Sequence, residues 1–168
     1  MFYQNEIAMQ LSKNFSLAEM LNSQTACRLN FSEQYNPSEE VIENLRQLSI
    51  HVLQPIRDKL RRPIFISSGY RCYRVNKAVG GSSRSQHMKG KAADIVVSGM
   101  DAETLFQKIR ASGLPFDQLI QEFGRWVHIS YNPEPGKNRM QVLRAVMEGG
   151  KVRFLREEVG NMGLRVMS

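Results

Sequence analysis

The sequence predicts a single α+β domain, with a central antiparallel sheet packed by helices. Three observations predict it. One segment, from Ser38 to about Leu60, carries apolar residues at three- and four-residue steps. Several short apolar runs, four to seven residues long and bounded by Gly and Pro, read as strands. Finally, the 168 residues contain no internal repeat, low-complexity tract or linker, so one core must serve residues 1–168.

The elements follow in order. Residues 1–15 show no clear period and are expected to be loosely held. Ser16-Leu17-Ala18-Glu19 reads as a capping box that starts a short helix. Asn36-Pro37-Ser38-Glu39-Glu40 starts a longer one, with Ser38 as cap and acidic residues in the first turn. Along it Val41, Leu45, Leu48, Val52, Ile56 and Leu60 form one apolar stripe, and Pro55 should kink the helix or loosen a turn. Pro63 ends it. Ile64 to Ser67 reads as a strand, Ser68-Gly69-Tyr70-Arg71 as a turn, and Arg74 to Val79 as a short helix stopped by Gly80-Gly81.

Gly80 to Ser85 reads as a flexible loop. Ala92 to Val97 is a short apolar strand, and Ala102 to Ser112 a helix ended by Gly113 and Pro115. Gln118 to Glu122 and Arg125 to Tyr131 read as strands joined at Phe123-Gly124. The stretch 139–156 reads as a closing hairpin about Glu148-Gly149-Gly150.

Composition narrows the function classes. The hydrophobic fraction is 42% and the charged fraction 23%, ordinary for a globular domain. No apolar run approaches the ~20 residues needed to span a membrane, and the first residues lack the basic and apolar regions of a secretory signal. Synthesis in the cytoplasm is therefore expected, with release by another agent if the protein acts outside. The net charge of +7 favours polyanions, nucleic acid or an anionic envelope among them, but charge alone names no partner. No stacked aromatic pattern or nucleic-acid module is present, so no nucleic-acid partner is expected. Cys27 and Cys72 form no C-x-x-C pair and are expected to be buried free thiols.

The chemistry concentrates in two segments, Ser85 to Asp94 and Trp126 to Ser130, which hold two of the three histidines. His87, Asp94 and His128 are a two-imidazole, one-carboxylate set, the ligands of an open catalytic zinc site whose fourth position is left for water. Asp94 lies inside the apolar run A-A-D-I-V-V, where a charge is costly unless paired or bound to metal. Such a site needs a base, and Glu122, six residues before His128 at a strand end, is the candidate. Glu134, in the loop from Asn132 to Gly136, is the weaker one. Arg71, after a strand end, is suited to steady an oxyanion or grip a substrate carboxylate. Tyr70, Ser85, Gln86 and Trp126 are candidates for substrate contact, with core packing as the competing reading for Trp126. His51, mid-helix, reads as structural. A hydrolase built on Cys72 leaves Asp94 unexplained.

These segments resemble the zinc D-alanyl-D-alanine peptidase family, which shares its metal site with lysostaphin-type enzymes and the hedgehog signalling domain. Ser85, His87, Gly90, Ala92 and Asp94 match its S-x-H-x-x-G-x-A-x-D pattern, and His128 matches its later strand histidine. Ser68-Gly69-Tyr70-Arg71 resembles its S-G-Y-R segment, which carries a catalytic or substrate-binding arginine. Further similarity in Phe15 to Met20, Pro37 to Leu45 and Val52 to Arg57 points to the small branch found in bacteriophages and prophages. The resemblance implies one Zn²⁺ per chain and hydrolysis of peptidoglycan stem peptides by a monomer acting at the bacterial cell wall, as a phage-type lysin. Several branches carry the catalytic Glu three residues before the last His; that position here is Arg125, and the six-residue spacing of Glu122 resembles the hedgehog-like arrangement. That departure keeps open a non-catalytic zinc-binding module that recognises peptidoglycan or a protein partner.

Overall fold

The computed structural model describes residues 9–157. The chain opens with a small hairpin, β1 (Gln10–Ser12) against β2 (Phe15–Ser16). Leu11 and Phe15 are buried in the core, so the part of the N-terminal stretch that is described is anchored by apolar side chains rather than loosely held. The expectation for residues 1–8 lies outside the described residues. Helix α1 (Leu17–Leu21) begins with the predicted capping box: the Ser16 side chain accepts from the Glu19 N–H, and the Glu19 carboxylate accepts from the Ser16 N–H. Helix α2 (Gln24–Leu29) was not expected. It is too short to show a period, and its start is marked only by Ser23, whose Oγ accepts from the Ala26 N–H.

The long helix forms in three parts: α3 (Glu39–Leu48), a π-helical turn over Ser49–Leu53, and α4 (Gln54–Leu60). Pro55 explains the middle part. It has no N–H to donate, and the hydrogen-bond ladder widens just before it, with the Gln54 N–H reaching Ser49 O. Leu45, Leu48, Val52 and Ile56 are fully buried, and the wider turn brings Leu53 inward as well. Each such burial contributes roughly 1.5–3 kcal/mol.

The main sheet has the strand order β3 (Phe65–Ser68), β4 (Ala92–Val96), β6 (Trp126–Ser130), β5 (Gln118–Glu122), β7 (Gln141–Glu148), β8 (Lys151–Glu157). All pairs are antiparallel except β5 with β7, which run parallel. The cause is a crossing at one end of the sheet. The chain leaves β6 beside the start of β5, passes over it, and enters β7 on its far side, where the Gln141 N–H bonds to Asp117 O.

One sheet face, carrying Ala93, Ile95, Leu119, Val127, Ile129 and Val142, packs on the long helix and on α6 (Ala102–Arg110), with Leu105, Phe106 and Ile109 between them. The other face carries Asp94, His128, Ile120 and Glu122. Both cysteines are free: Cys72 is buried as expected, but Cys27 is exposed, because it lies on the outer side of α2. No helix among the described residues is long and apolar enough to cross a membrane.

Candidate active site

The strand register brings the site together. Asp94 on β4 pairs directly with His128 on β6, and His128 pairs with Ile120 on β5. Glu122 is two residues further along β5, a diagonal neighbour of His128 on the same face. His87 arrives from a 3-10 turn over Gln86–Lys89 that follows α5 (Tyr73–Ala78) and its glycine and serine loop. Ser85 caps this turn, its Oγ accepting from the His87 N–H. Gly90 closes the turn at φ +68° against α3; a Cβ there would lie 2.6 Å from Val41 O. Asn44 on α3 donates to Lys89 O, fixing the same corner.

Three donor atoms converge. His87 Nε2 lies 3.2 Å from His128 Nδ1 and 3.2 Å from Asp94 Oδ1, and His128 Nδ1 lies 2.9 Å from Asp94 Oδ1. All three residues are buried, and among the described residues they form the one group of His, Cys, Asp and Glu side chains placed to hold a metal ion. The His87 Nδ1–H donates to Gly69 O at 2.7 Å, so in the neutral ring Nε2 carries a bare lone pair. Burial lowers the His87 pKa and favours that neutral form. Burial alone would raise Asp94, but His87 and His128 together outweigh it and hold its carboxyl well below the usual range. The His87 lone pair thus faces a buried carboxylate and a second imidazole nitrogen, an arrangement that a cation satisfies. Bonds of ~2.0–2.2 Å to a tetrahedral ion would set neighbouring donors roughly 3.3–3.6 Å apart, slightly wider than the 2.9–3.2 Å seen.

Arg71 stands behind Asp94. Its Nη2 donates to Asp94 Oδ2 at 2.7 Å and its Nε to Ser68 Oγ at 2.8 Å. The guanidinium therefore orients the carboxylate, using two of its five N–H groups. The Arg71 N–H also donates to His87 O, so the Ser68–Arg71 turn wraps the histidine from both sides. Glu122 Oε1 lies 4.0 Å from His128 Nδ1. Burial, and then the charge of Asp94, push the Glu122 carboxyl above its ordinary value, with His128, Arg71 and Trp126 opposing. Trp126 pairs with Glu122 across the hairpin and stacks edge-on against Phe123; its indole N–H is buried and makes no hydrogen bond of normal geometry.

Other candidates fall elsewhere. Tyr70 is half-buried between two parts of the core, its phenol raised by burial, then by Cys72 and Glu33, and no contact ties it to the three donors. Gln86 turns away from the donors and gives its Nε2–H to Asp117 Oδ2 at 2.8 Å. Glu134 is exposed in its loop. His51 stacks on Tyr131, outside the site.

Three contributors escaped the sequence reading. Gly69 supplies the His87 acceptor at a point where a Cβ would lie 2.4 Å from Met20 O. Gln34, fully buried, donates to Leu21 O and Tyr70 O and accepts from the Cys72 N–H, pinning both sides of Arg71. Asp117, fully buried, accepts from Gln86 and from the Arg139 backbone and guanidinium. The argument that singled out Asp94, a carboxylate among apolar neighbours, applies equally to Asp117 in P-F-D-Q-L.

The model of one family, described as Peptidase M15, matches residues 13–130, well over half of the chain. No curated protein matches it.

Proposed function

The chain belongs to the Peptidase M15 family, and from that premise we propose that it is a zinc peptidase that hydrolyses peptidoglycan stem peptides at D-Ala-D-Ala or a neighbouring bond. The observation that carries this reading is the buried His87–Asp94–His128 group with Glu122 beside it. Held by these three residues, zinc supplies Lewis-acid polarisation of the scissile carbonyl and lowers the pKa of water.

The chain's own groups do the rest. Gly69 fixes the tautomer of His87. Arg71 holds the outer oxygen of Asp94, leaving Oδ1 toward the histidines. Glu122, its pKa raised, takes the proton from the attacking water and returns it to the leaving amine. Arg71 keeps a cation behind the Asp94 carboxylate, Ser85 caps the turn that carries His87, and Trp126 flanks Glu122, while Gln86 and Tyr70 are engaged elsewhere in the fold. A lysin acting on an anionic wall fits the net charge of +7.

The non-catalytic alternative drew on Arg125 standing where other branches carry Glu. Here Arg125 lies in the exposed turn, while Glu122 occupies the strand face beside His128, which favours the enzyme.

The test is incubation of the purified protein with whole peptidoglycan, with and without chelator and with zinc added back. New amino termini, identified by mass spectrometry and appearing only with metal, establish the activity and name the bond. Intact peptidoglycan with zinc bound at one per chain overturns the peptidase reading in favour of a binding module.

A further inference from the structure

The sheet extends beyond the residues that the family model matches. Strands β7 and β8 follow residue 130 and complete the far side of the sheet. Register places their side chains relative to the site. His128 pairs with Ile120, Ile120 with Leu143, and Leu143 with Arg156. Trp126 pairs with Glu122, Glu122 with Ala145, and Ala145 with Phe154. Met147 pairs with Val152 in the next row of the same parity. These residues therefore share the sheet face that carries Asp94, His128 and Glu122.

The opposite parity faces the helices: Arg144 meets Glu103 and the ring of Phe106 on α6, and Glu157 meets Arg110. Ile120, Leu143 and Ala145 form a small buried cluster with Phe123. Beyond it Met147, Phe154 and Val152 are exposed by 61, 58 and 48%. Arg156 lies exposed beside them. Two strand spacings separate β5 from β8, about 10 Å, so this surface starts within a few residues' reach of Glu122.

We propose that this surface is a binding platform for the part of the substrate polymer beyond the scissile bond, an acidic and partly apolar peptide. The proposal rests on the peptidase reading above. Two features favour that occupant. The surface lies on the same side of the sheet as Glu122 and two strands away, so a chain that passes over Glu122 and the Phe123 cluster reaches it. It also joins apolar side chains to an arginine, which suits a peptide with free carboxylates and methyl side chains. On this reading the enzyme prefers polymeric wall to a short free peptide, because only the polymer reaches Phe154.

The test uses the zinc-loaded full chain, purified sacculi in cosedimentation, and a short soluble peptide ending in D-Ala-D-Ala. The double substitution Met147→Ser with Phe154→Ser should weaken binding to sacculi about tenfold, the scale of removing a partly buried aromatic contact. kcat/KM on the short peptide should stay within about twofold. Leu155→Ser is the control: Leu155 is similarly exposed but points to the helix side, and it should change neither quantity. Sacculus binding unchanged in the double variant, or equally weakened by Leu155→Ser, overturns the platform. So does a dimer in solution that the double substitution dissolves while sacculus binding holds, since a second copy is then the occupant. Wild-type protein that binds sacculi through Phe154 but releases no new termini keeps the platform and removes the peptidase reading. Cleavage with no dependence on Phe154 does the reverse.

Discussion

Arg71 donates to the outer oxygen of Asp94 at 2.7 Å, while the inner oxygen of the same carboxylate faces both histidines. One side chain is thus divided between a permanent cation behind it and the donor cluster in front. Arg71 is mostly buried, so its charge is balanced by that carboxylate rather than by water.

Replacing Asp94 with Ala should therefore do two separate things. Zinc binding, followed by metal analysis of the dialysed protein, should fall below one ion per ten chains. Stability should also drop by about 3–5 kcal/mol in urea, because a buried guanidinium loses its partner. Asp94→Asn, which keeps a hydrogen-bond acceptor for Arg71, should lose the metal but recover part of the stability.

Glu122→Gln should leave the metal in place and reduce kcat by about 10²–10⁴, the usual contribution of a general base. A variant with full zinc content and unchanged turnover would show that Glu122 is not the base.

Gly69→Ala should unfold the site from below. Its Cβ would meet the Met20 backbone at 2.4 Å, which no rotamer change relieves. A loss of roughly 1–3 kcal/mol is expected from the forced shift, read in thermal or urea unfolding. Gly80→Ala gives the comparison: nothing lies within 4 Å of its Cβ, so only the φ of +73° opposes it. It should cost roughly 1 kcal/mol.

Glu103 gives a pH prediction. Its hydrogen bonds from Arg144 pull its pKa down to about 2 in the folded protein. A carboxylate depressed on folding stabilises above its unfolded pKa, and that contribution is lost as pH falls through the folded value. The stability gap between wild type and Glu103→Gln should be full at pH 7 and close between pH ~4.5 and about 2. The carboxylate is 45% exposed, so screening should hold the gap under about 1 kcal/mol.

Much of this was legible in the sequence, for physical reasons. The long helix announced itself because six apolar residues, Val41 to Leu60, keep one stripe along its length, and Pro55 announced a loosened turn by lacking a donor. The donor triad was legible because Asp94 and His128 interrupt apolar strands, where polar groups are costly. What stayed hidden depends on contacts distant in sequence. The parallel pairing of β5 and β7 follows from where a ten-residue crossing lands, and no local pattern encodes that. Gln34 looks like any polar residue in a loop until the chain folds Leu21, Tyr70 and Cys72 around it. Arg71 was expected to address the substrate; in the fold its guanidinium bonds to Asp94, 23 residues away in sequence, a contact that no local pattern encodes.

The outermost strand, β8, has a consequence for how the molecule behaves in a crowded solution. Among the described residues it ends the sheet, with no strand paired to its outer line of backbone donors and acceptors, and Val152, Phe154 and Leu155 along it are exposed. Such an edge invites another chain to add on, and growth of that kind does not stop at two. Lys151, Arg153 and Arg156 are interspersed among those apolar residues and place like charges where an incoming copy of the same strand would lie. Colloidal stability of the protein is thus tied to ionic strength: as salt shortens the reach of that repulsion, the edge loses its guard and turbidity rises.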